Sequence, residues 1–195
     1  MKNIRHLCQR DYEVKPWKNG QGMTTDICLL PPGASHEEFQ FRVSLSDIDR
    51  VAPFSAFPGV DRFITMIQGN GVELEFERES ILLSINQTYH FDSGLCPVGS
   101  PIDGNAQVLN VMFRRNAGTM NDCHVTSGIE ELDLNGKRFL FVISGVWNVT
   151  INDESQSVKT WESVLADNIE SMVCYPESES ESEGLAIYAS ISPSN

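Results

Sequence analysis

Apolar and polar residues alternate with a period of two along stretch after stretch of this chain, and long 3.6-residue periods with helix caps are scarce. That pattern restricts the fold more than any other feature, because a strand projects successive side chains to opposite faces. In FQFRVSL at 39–45, Phe39, Phe41, Val43 and Leu45 share one face, and Gln40, Arg42 and Ser44 the other. RFITMIQ at 62–68 is an apolar run ending at the turn signal Gly69-Asn70-Gly71. VELEFE at 72–77 alternates cleanly, which sends Glu73, Glu75 and Glu77 to water. QVLNVMFRR at 107–115 is rich in β-formers, and FLFVISGVWNVTI at 139–151 is apolar on both faces around a glycine, as a buried strand pair would be. The best helix signal is SGIEELD at 127–133, where Ser127 and Glu130 make a capping-box pattern. The reading is an all-β chain with few short helices, a sandwich or barrel.

A faint internal repeat refines it. ITMIQGNGVEL around Gly69 resembles FVISGVWNVTI around Gly145: an apolar strand, a glycine turn, then another strand. A second apolar group follows each, at 81–91 and 161–168. The spacing is too long for a solenoid and suits two stacked β-barrel halves, with units expected at 1–118 and 119–195. Coincidence among β-rich segments is the competing explanation.

Charge and cysteines narrow the partners. The 195 residues carry 14 Lys and Arg against 27 Asp and Glu, a net charge of −13. Such a surface argues against nucleic acid and anionic membranes, whose binding is driven by basic residues. The N-terminus has no apolar signal core, and no stretch approaches the ~20 apolar residues of a membrane span. The five cysteines are scattered without a CxxC pair, which fits reduced thiols in a cytoplasm. Residues 176–184, PESESESEG, read as a solvated acidic loop, with docking of a basic partner as the alternative.

Signatures of catalytic chemistry are mostly absent from the sequence. His6, His36, His90 and His124 form no HxH or HxxxH pair, so no metal site and no cofactor is expected. There is no GxSxG, no GxxxxGK[ST] and no GxGxxG, hence no positive signal for an enzyme and no catalytic residue to nominate. Three segments nevertheless concentrate donors. PWKNGQGMTTDI at 16–27 contains the hairpin signal Asn19-Gly20. It is either a tight turn with Trp17 packed on the core or a pocket mouth offering Lys18, Asn19 and the hydroxyls of Thr24 or Thr25. RVSLSDIDRVAPFSAFPGVDRF at 42–63 puts Arg42 and Ser44 on one strand face and starts the next strand at Asp61-Arg62. Either Asp61 and Arg62 pair locally beside a plug of Phe54 and Phe57, or Arg62 faces a ligand. Asn110 in QVLNVMFRR shares a face with Met112 and Arg114. It is either satisfied by backbone groups or meets a ligand, because burying an amide without partners is costly. Arg, Lys, Asn and Ser donors among aromatics are a recipe for orienting a small carboxylate, which Arg binds through two parallel hydrogen bonds.

PWKNGQGMTTDI, RVSLSDIDRVAPFSAFPGVDR, IQGNGVEL and LNVMFRR, in this order and spacing, resemble the HutD/Ves family. The resemblance is strong over about 12–115 and rests on the repeat beyond. It implies a bicupin, two cupin-like β-barrels or jelly rolls in one chain, in a bacterial cytoplasmic protein. HutD members accompany histidine-utilisation enzymes as regulators, and Ves members are linked to stress and cold responses. Cupins usually carry an HxH…E…H metal set; Arg62 stands at the Glu position, which favours an anion over a metal. The expected function is metal-independent binding of a small anionic metabolite, with urocanate or a formyl- or formimino-glutamate as candidates. Lys18, Arg42, Arg62 and Arg114 supply positive charge. Asn19, Thr24, Ser44, Asp61 and Asn110 fix orientation, and Trp17, Phe57 and Met112 form apolar walls. The alternatives are a metal-independent enzyme using Asp61 with His90, and a protein-interaction module built on the acidic loop. Open sheet edges leave a homodimer as an option.

Overall fold

The alternating segments become strands in the computed structural model, which describes residues 3–16, 22–132, 136–177 and 184–193. In chain order these are β1 (Asn3–Leu7), β2 (Glu13–Pro16), β3 (Met23–Leu30), β4 (Phe41–Ile48), β5 (Ala52–Pro53), β6 (Val60–Gln68) and β7 (Val72–Glu75). They continue with β8 (Ser80–Leu83), β9 (Thr88–Asp92), β10 (Val98–Pro101), β11 (Ala106–Arg114), β12 (Gly118–Thr126) and β13 (Glu130–Leu132). The last are β14 (Lys137–Ser144), β15 (Val146–Ile151), β16 (Glu154–Lys159), β17 (Ser163–Asp167), β18 (Met172–Pro176) and β19 (Leu185–Pro193). The described residues contain no α-helix, only a 3-10 turn at Gln9–Asp11. No helix among them is long and apolar enough to cross a membrane.

The strands form two compact units, Tyr12–Ala117 and Met1–Asp11 with Gly118–Asn195. The unit expected at 1–118 therefore lacks its first residues, because β1 pairs antiparallel with β17 from Asn3↔Asp167 to Leu7↔Ser163. Each unit holds two sheets. In Tyr12–Ala117 the orders are β2-β3-β4-β11-β6-β9 and β5-β10-β7-β8; in the other unit they are β1-β17-β14-β19-β12 and β13-β18-β15-β16. Replacing β4–β11 by β12–β19, strand for strand, converts β4-β11-β6-β9 into β12-β19-β14-β17 and β5-β10-β7-β8 into β13-β18-β15-β16. The repeat glimpsed around Gly69 and Gly145 is thus a repeat of topology. Both glycines sit at positive φ, 109° and 78°. At Gly69 the close backbone also excludes a side chain: a Cβ there would lie 2.7 Å from the Asn105 carbonyl oxygen.

Burial follows the pleat. Val72 and Leu74 of β7 are buried while Glu73 and Glu75 are exposed. In the first unit Ile64 and Met66 of β6, Val108 of β11 and Ile48 of β4 pack with Val72, Leu74 and Leu83 into one apolar cluster. In the second, Leu140, Val142, Trp147, Val149, Val164 and Tyr188 do the same. The helix expected at 127–133 is not formed. Glu130–Leu132 are β13, paired with β18 from Glu130↔Cys174 to Leu132↔Met172. Two turns of isolated helix cannot repay nucleation, whereas a short strand gains ladder bonds to a neighbour already in place. The five cysteines are free thiols.

Candidate functional site

The six-stranded sheet of the first unit is apolar along part of its inner face and polar along the rest. The register explains why. Arg42 and Arg62 both lie opposite Met112, and Ser44 and Ile64 both lie opposite Asn110. Residues opposite one another share a face. On β3, Thr24 lies opposite Ser46 and Asp26 opposite Ser44, before an irregularity between Asp26 and Cys28. Neighbouring strands are ~4.8 Å apart, so the backbones of Arg42 and Arg62 stand about 10 Å apart with Met112 between them. Thr24, Arg42, Ser44, Ser46, Arg62, Asn110 and Met112 line a cavity of about 60 Å³, together with His36, Phe54, Ser55 and Phe57. One water needs ~10–15 Å³, so the space suits a small metabolite.

Asp26 sits at the centre of the charge distribution. Its carboxylate, 4% exposed, accepts from Arg42 Nε at 2.8 Å and lies 2.7 Å from Arg42 Nη2. The other carboxylate oxygen is 3.1 Å from His36 Nε2 and 3.6 Å from Lys15 Nζ. Arg42 is therefore neutralised.

Arg62 is not. It is 4% exposed. Its Nε and Nη2 donate to Ser93 Oγ at 3.2 and 3.0 Å, Nη2 also to the Ser55 carbonyl at 3.1 Å, and Nη1 to Asn110 Oδ1 at 3.4 Å. Every acceptor is neutral, and among the described residues no carboxylate lies within ion-pair distance of it. The rings of Phe54, Phe91 and Phe57 surround the guanidinium at 5.2, 5.6 and 5.8 Å. Cation–π attraction replaces part of the lost hydration. Burial, and then the like charge of Arg42, pull the Arg62 pKa down to about 9, which leaves it a cation at neutral pH. The cleft thus holds a buried positive charge, in a chain whose net charge is −13.

The structure brings together Thr24, Arg42, Ser44, Phe57, Arg62, Asn110 and Met112 around this cavity. Two nominated residues go elsewhere. Asp61, one residue out of phase with Arg62, accepts from exposed Arg115 at 3.1 Å. Arg114 ends β11, donates from Nε to the Phe39 carbonyl at 2.9 Å and from Nη2 to the Glu37 carbonyl, and stacks on Phe39. Trp17, Lys18 and Asn19 lie outside the described residues, as does most of the acidic loop. The proposed acid–base pair does approach, with His90 Nε2 3.4 Å from Asp61 Oδ1, but neither residue lines the cavity and His90 stacks on Phe63. Sequence reasoning missed His36, Ser46, Phe54, Ser55 and the counter-ion Asp26. Of these, Ser46 left a signal, at the strand parity of Arg42 and Ser44.

A cupin-type metal set does not fit this cleft. His36 brings the one imidazole to its lining, which carries no carboxylate or thiol among the described residues, and the neighbouring Asp26 is engaged by Arg42. Two guanidinium groups on the lining would also repel a divalent cation.

Comparisons with known proteins agree with this architecture. The HutD family model matches residues 9–180. Protein Ves of Citrobacter koseri is 32% identical over 146 residues, covering 72% of this chain and 73% of its own. The structure of HutD from Pseudomonas fluorescens SBW25, formate condition, superposes with a TM-score of 0.78 at 22% identity, covering 97% of this chain and 100% of that one. A cupin 2 conserved barrel domain protein from Leptotrichia buccalis superposes at 0.59 with 14% identity over 96% of each chain, so the fold is cupin-like.

Proposed function

Since the chain belongs to the HutD family, and the matched segment takes in every strand of the cleft, we propose that its first unit binds a small carboxylate metabolite as a sensor linked to histidine breakdown. The observation that carries this reading is Arg62, a buried cation whose hydrogen-bond partners are all neutral. Removing a guanidinium from water costs several kcal/mol unless an anion compensates it. A carboxylate entering the cleft supplies that compensation. Its oxygens take the guanidinium edge nearest Asn110, and the Asn110 amide and the Ser44 and Ser46 hydroxyls donate to what remains. Phe54 and Phe57 shield the pair from water, which strengthens it. Arg42, already held by Asp26, adds field without demanding a second charge on the ligand.

Candidates are urocanate and a formyl- or formimino-glutamate, the intermediates that the family's name brings to this chain. Binding without turnover fits the lining, whose one imidazole, His36, is engaged by the Asp26 carboxylate at 3.1 Å. Titration calorimetry of the full chain with each of these, and with formate as the minimal carboxylate, tests the proposal. The expected result is saturable one-to-one binding for at least one of them, at least tenfold stronger than for its amide. Absence of saturable heat at millimolar concentration with all of them overturns it.

A further inference from the structure

A mixed pattern with the spacing of HxH, His6-x-Cys8, closes the N-terminal strand. Positions i and i+2 of a strand face the same way. Strand β1 runs beside β17, and the turn at 159–162 that leads into β17 brings Glu162 to the same place. His6 Nε2 lies 2.9 Å from Glu162 Oε2, and Cys8 Sγ lies 3.6 Å from Glu162 Oε1. The three ligand atoms fall within 4.8 Å of one another. For a tetrahedral zinc with bonds of roughly 2.0–2.3 Å, neighbouring ligand atoms stand about 3.3–3.6 Å apart. The two separations to Glu162 need changes of a few tenths of an ångström, and the third, within 4.8 Å, a shortening of up to about 1 Å that side-chain rotation supplies.

Both ends of the cluster are held by backbone. The Cys8 N–H donates to Asp11 Oδ2 at 2.8 Å and the Asp11 N–H returns to the Cys8 carbonyl at 2.8 Å, closing a tight turn. Across the gap, the Glu162 N–H donates to the Lys159 carbonyl at 2.9 Å, and the Lys159 N–H to Glu162 Oε2 at 3.0 Å. Outer hydrogen bonds of this kind orient metal ligands and account for part of their affinity. His6 and Glu162 keep 31% and 22% of their side-chain surface in water, so a fourth position is open to solvent.

We propose that His6, Cys8 and Glu162 form a binding site for a borderline-soft divalent transition metal, of which Zn²⁺ is the representative. One thiolate, one imidazole and one carboxylate suit zinc, whereas Ca²⁺ and Mg²⁺ want oxygen alone. On binding, the Cys8 proton leaves to solvent, His6 coordinates as the neutral imidazole, and Glu162 gives up its contact with the thiol. The consequence is mechanical. Strand β1 is an edge strand, held by ladder bonds to β17 alone in its sheet. A metal joining Cys8 to Glu162 clips it to the unit whose other strands begin at Gly118.

Titration of the full-length reduced protein with Co²⁺, followed by absorbance, tests the site. The expected result is one equivalent with a thiolate-to-metal charge-transfer band and tetrahedral d–d bands, both displaced by Zn²⁺. The charge-transfer band disappears in Cys8→Ser, and the affinity falls at least tenfold in His6→Ala and in Glu162→Gln. Zn²⁺ also raises the melting temperature of the wild type and leaves that of Cys8→Ser unchanged. A missing band in the wild type, or a band that persists in Cys8→Ser, overturns the assignment. Because these residues lie in the other unit and share none with the cleft, carboxylate binding is unaffected by either outcome.

Discussion

Replacing Arg62 by Met separates a binding arginine from a structural one, because the two roles predict opposite signs. Met keeps the length and most of the volume of the side chain but has no charge and no donors. In the ligand-free protein the substitution removes hydrogen bonds to three neutral acceptors, Ser93 Oγ, the Ser55 carbonyl and Asn110 Oδ1, at 3.0–3.4 Å. At such lengths each contributes at the low end of the range for a charged donor, ~1.5 kcal/mol. Against that loss of about 4–5 kcal/mol stands relief from burying a guanidinium, several kcal/mol. A thioether among Phe54, Phe57 and Phe91 adds ~1 kcal/mol. The sum lies near zero, so Arg62→Met should melt within about 3 °C of the wild type, or above it. Carboxylate binding should fall by the cost of losing a charged partner, ~2–5 kcal/mol, or roughly 30- to 5,000-fold. Thermal unfolding and calorimetry on the same preparation read both quantities. A variant that loses more than ~3 kcal/mol of stability while its carboxylate affinity is unchanged would refute the argument, because Arg62 would then hold the sheet and not a ligand.

Two further outcomes follow from the charge arrangement. Asp26→Asn leaves Arg42 buried beside Arg62 without a counter-ion; it should cost about 3–5 kcal/mol in denaturant unfolding while tightening carboxylate binding, and unchanged stability would contradict the pairing. In the second unit His124 lies with Nδ1 3.0 Å from Asp122 and Nε2 3.0 Å from Glu130. Burial works against its charged form, but the hydrogen bonds to Glu130 and Asp122 outweigh it and raise its pKa above 6.5. A raised folded-state pKa means this pair stabilises fully below pH ~6.5 and that the contribution fades as pH climbs through the higher folded value. An NMR titration of the imidazole protons should show His124 titrating above 6.5 and moving down in Glu130→Gln; a His124 midpoint below 6.5 would contradict it.

The fold was legible because alternation survives in strands that face a core on one side. β7 shows it plainly, with Val72 and Leu74 in and Glu73 and Glu75 out. The same logic placed Arg42 with Ser44 and Asn110 with Met112. It misplaced Arg114, since parity says which face a side chain starts on and says nothing of where a long chain at a strand end folds back. Asp26 and His36 were hidden for another reason. Asp26 meets Arg42 across a β3–β4 register that shifts between Asp26 and Cys28. His36 comes from the loop between those strands, where no period operates. The metal cluster lay beyond reach because Glu162 is 154 residues from Cys8. Local spacing shows two of its ligands, and only the pairing of β1 with β17 brings in the third.

The repeated topology also bears on why the proposed anion site is assigned to one unit and not to both. Arg62 lies seven positions before Gly69, and Arg138 lies seven before Gly145. Both arginines are buried, at 4% and 1% exposure. Their surroundings have diverged. Ile64 faces Asn110 in the first unit, and its counterpart Leu140 faces Tyr188 in the second. Tyr188 is itself 1% exposed and packs into the apolar cluster, so its ring occupies space that the shorter amide leaves open. Across the next strand, the positions of Arg42 and Ser44 correspond to Asp122 and His124, by the pairings Met112↔Arg42 and Asn110↔Ser44 against Ser190↔Asp122 and Tyr188↔His124. One position therefore carries a cation in the first unit and a carboxylate in the second. The first unit combines a second guanidinium with an open cavity, and the second combines a carboxylate with a buried tyrosine ring. The two units thus share the buried arginine and differ in the side chains beside it, and that difference is why the proposed site is assigned to the first.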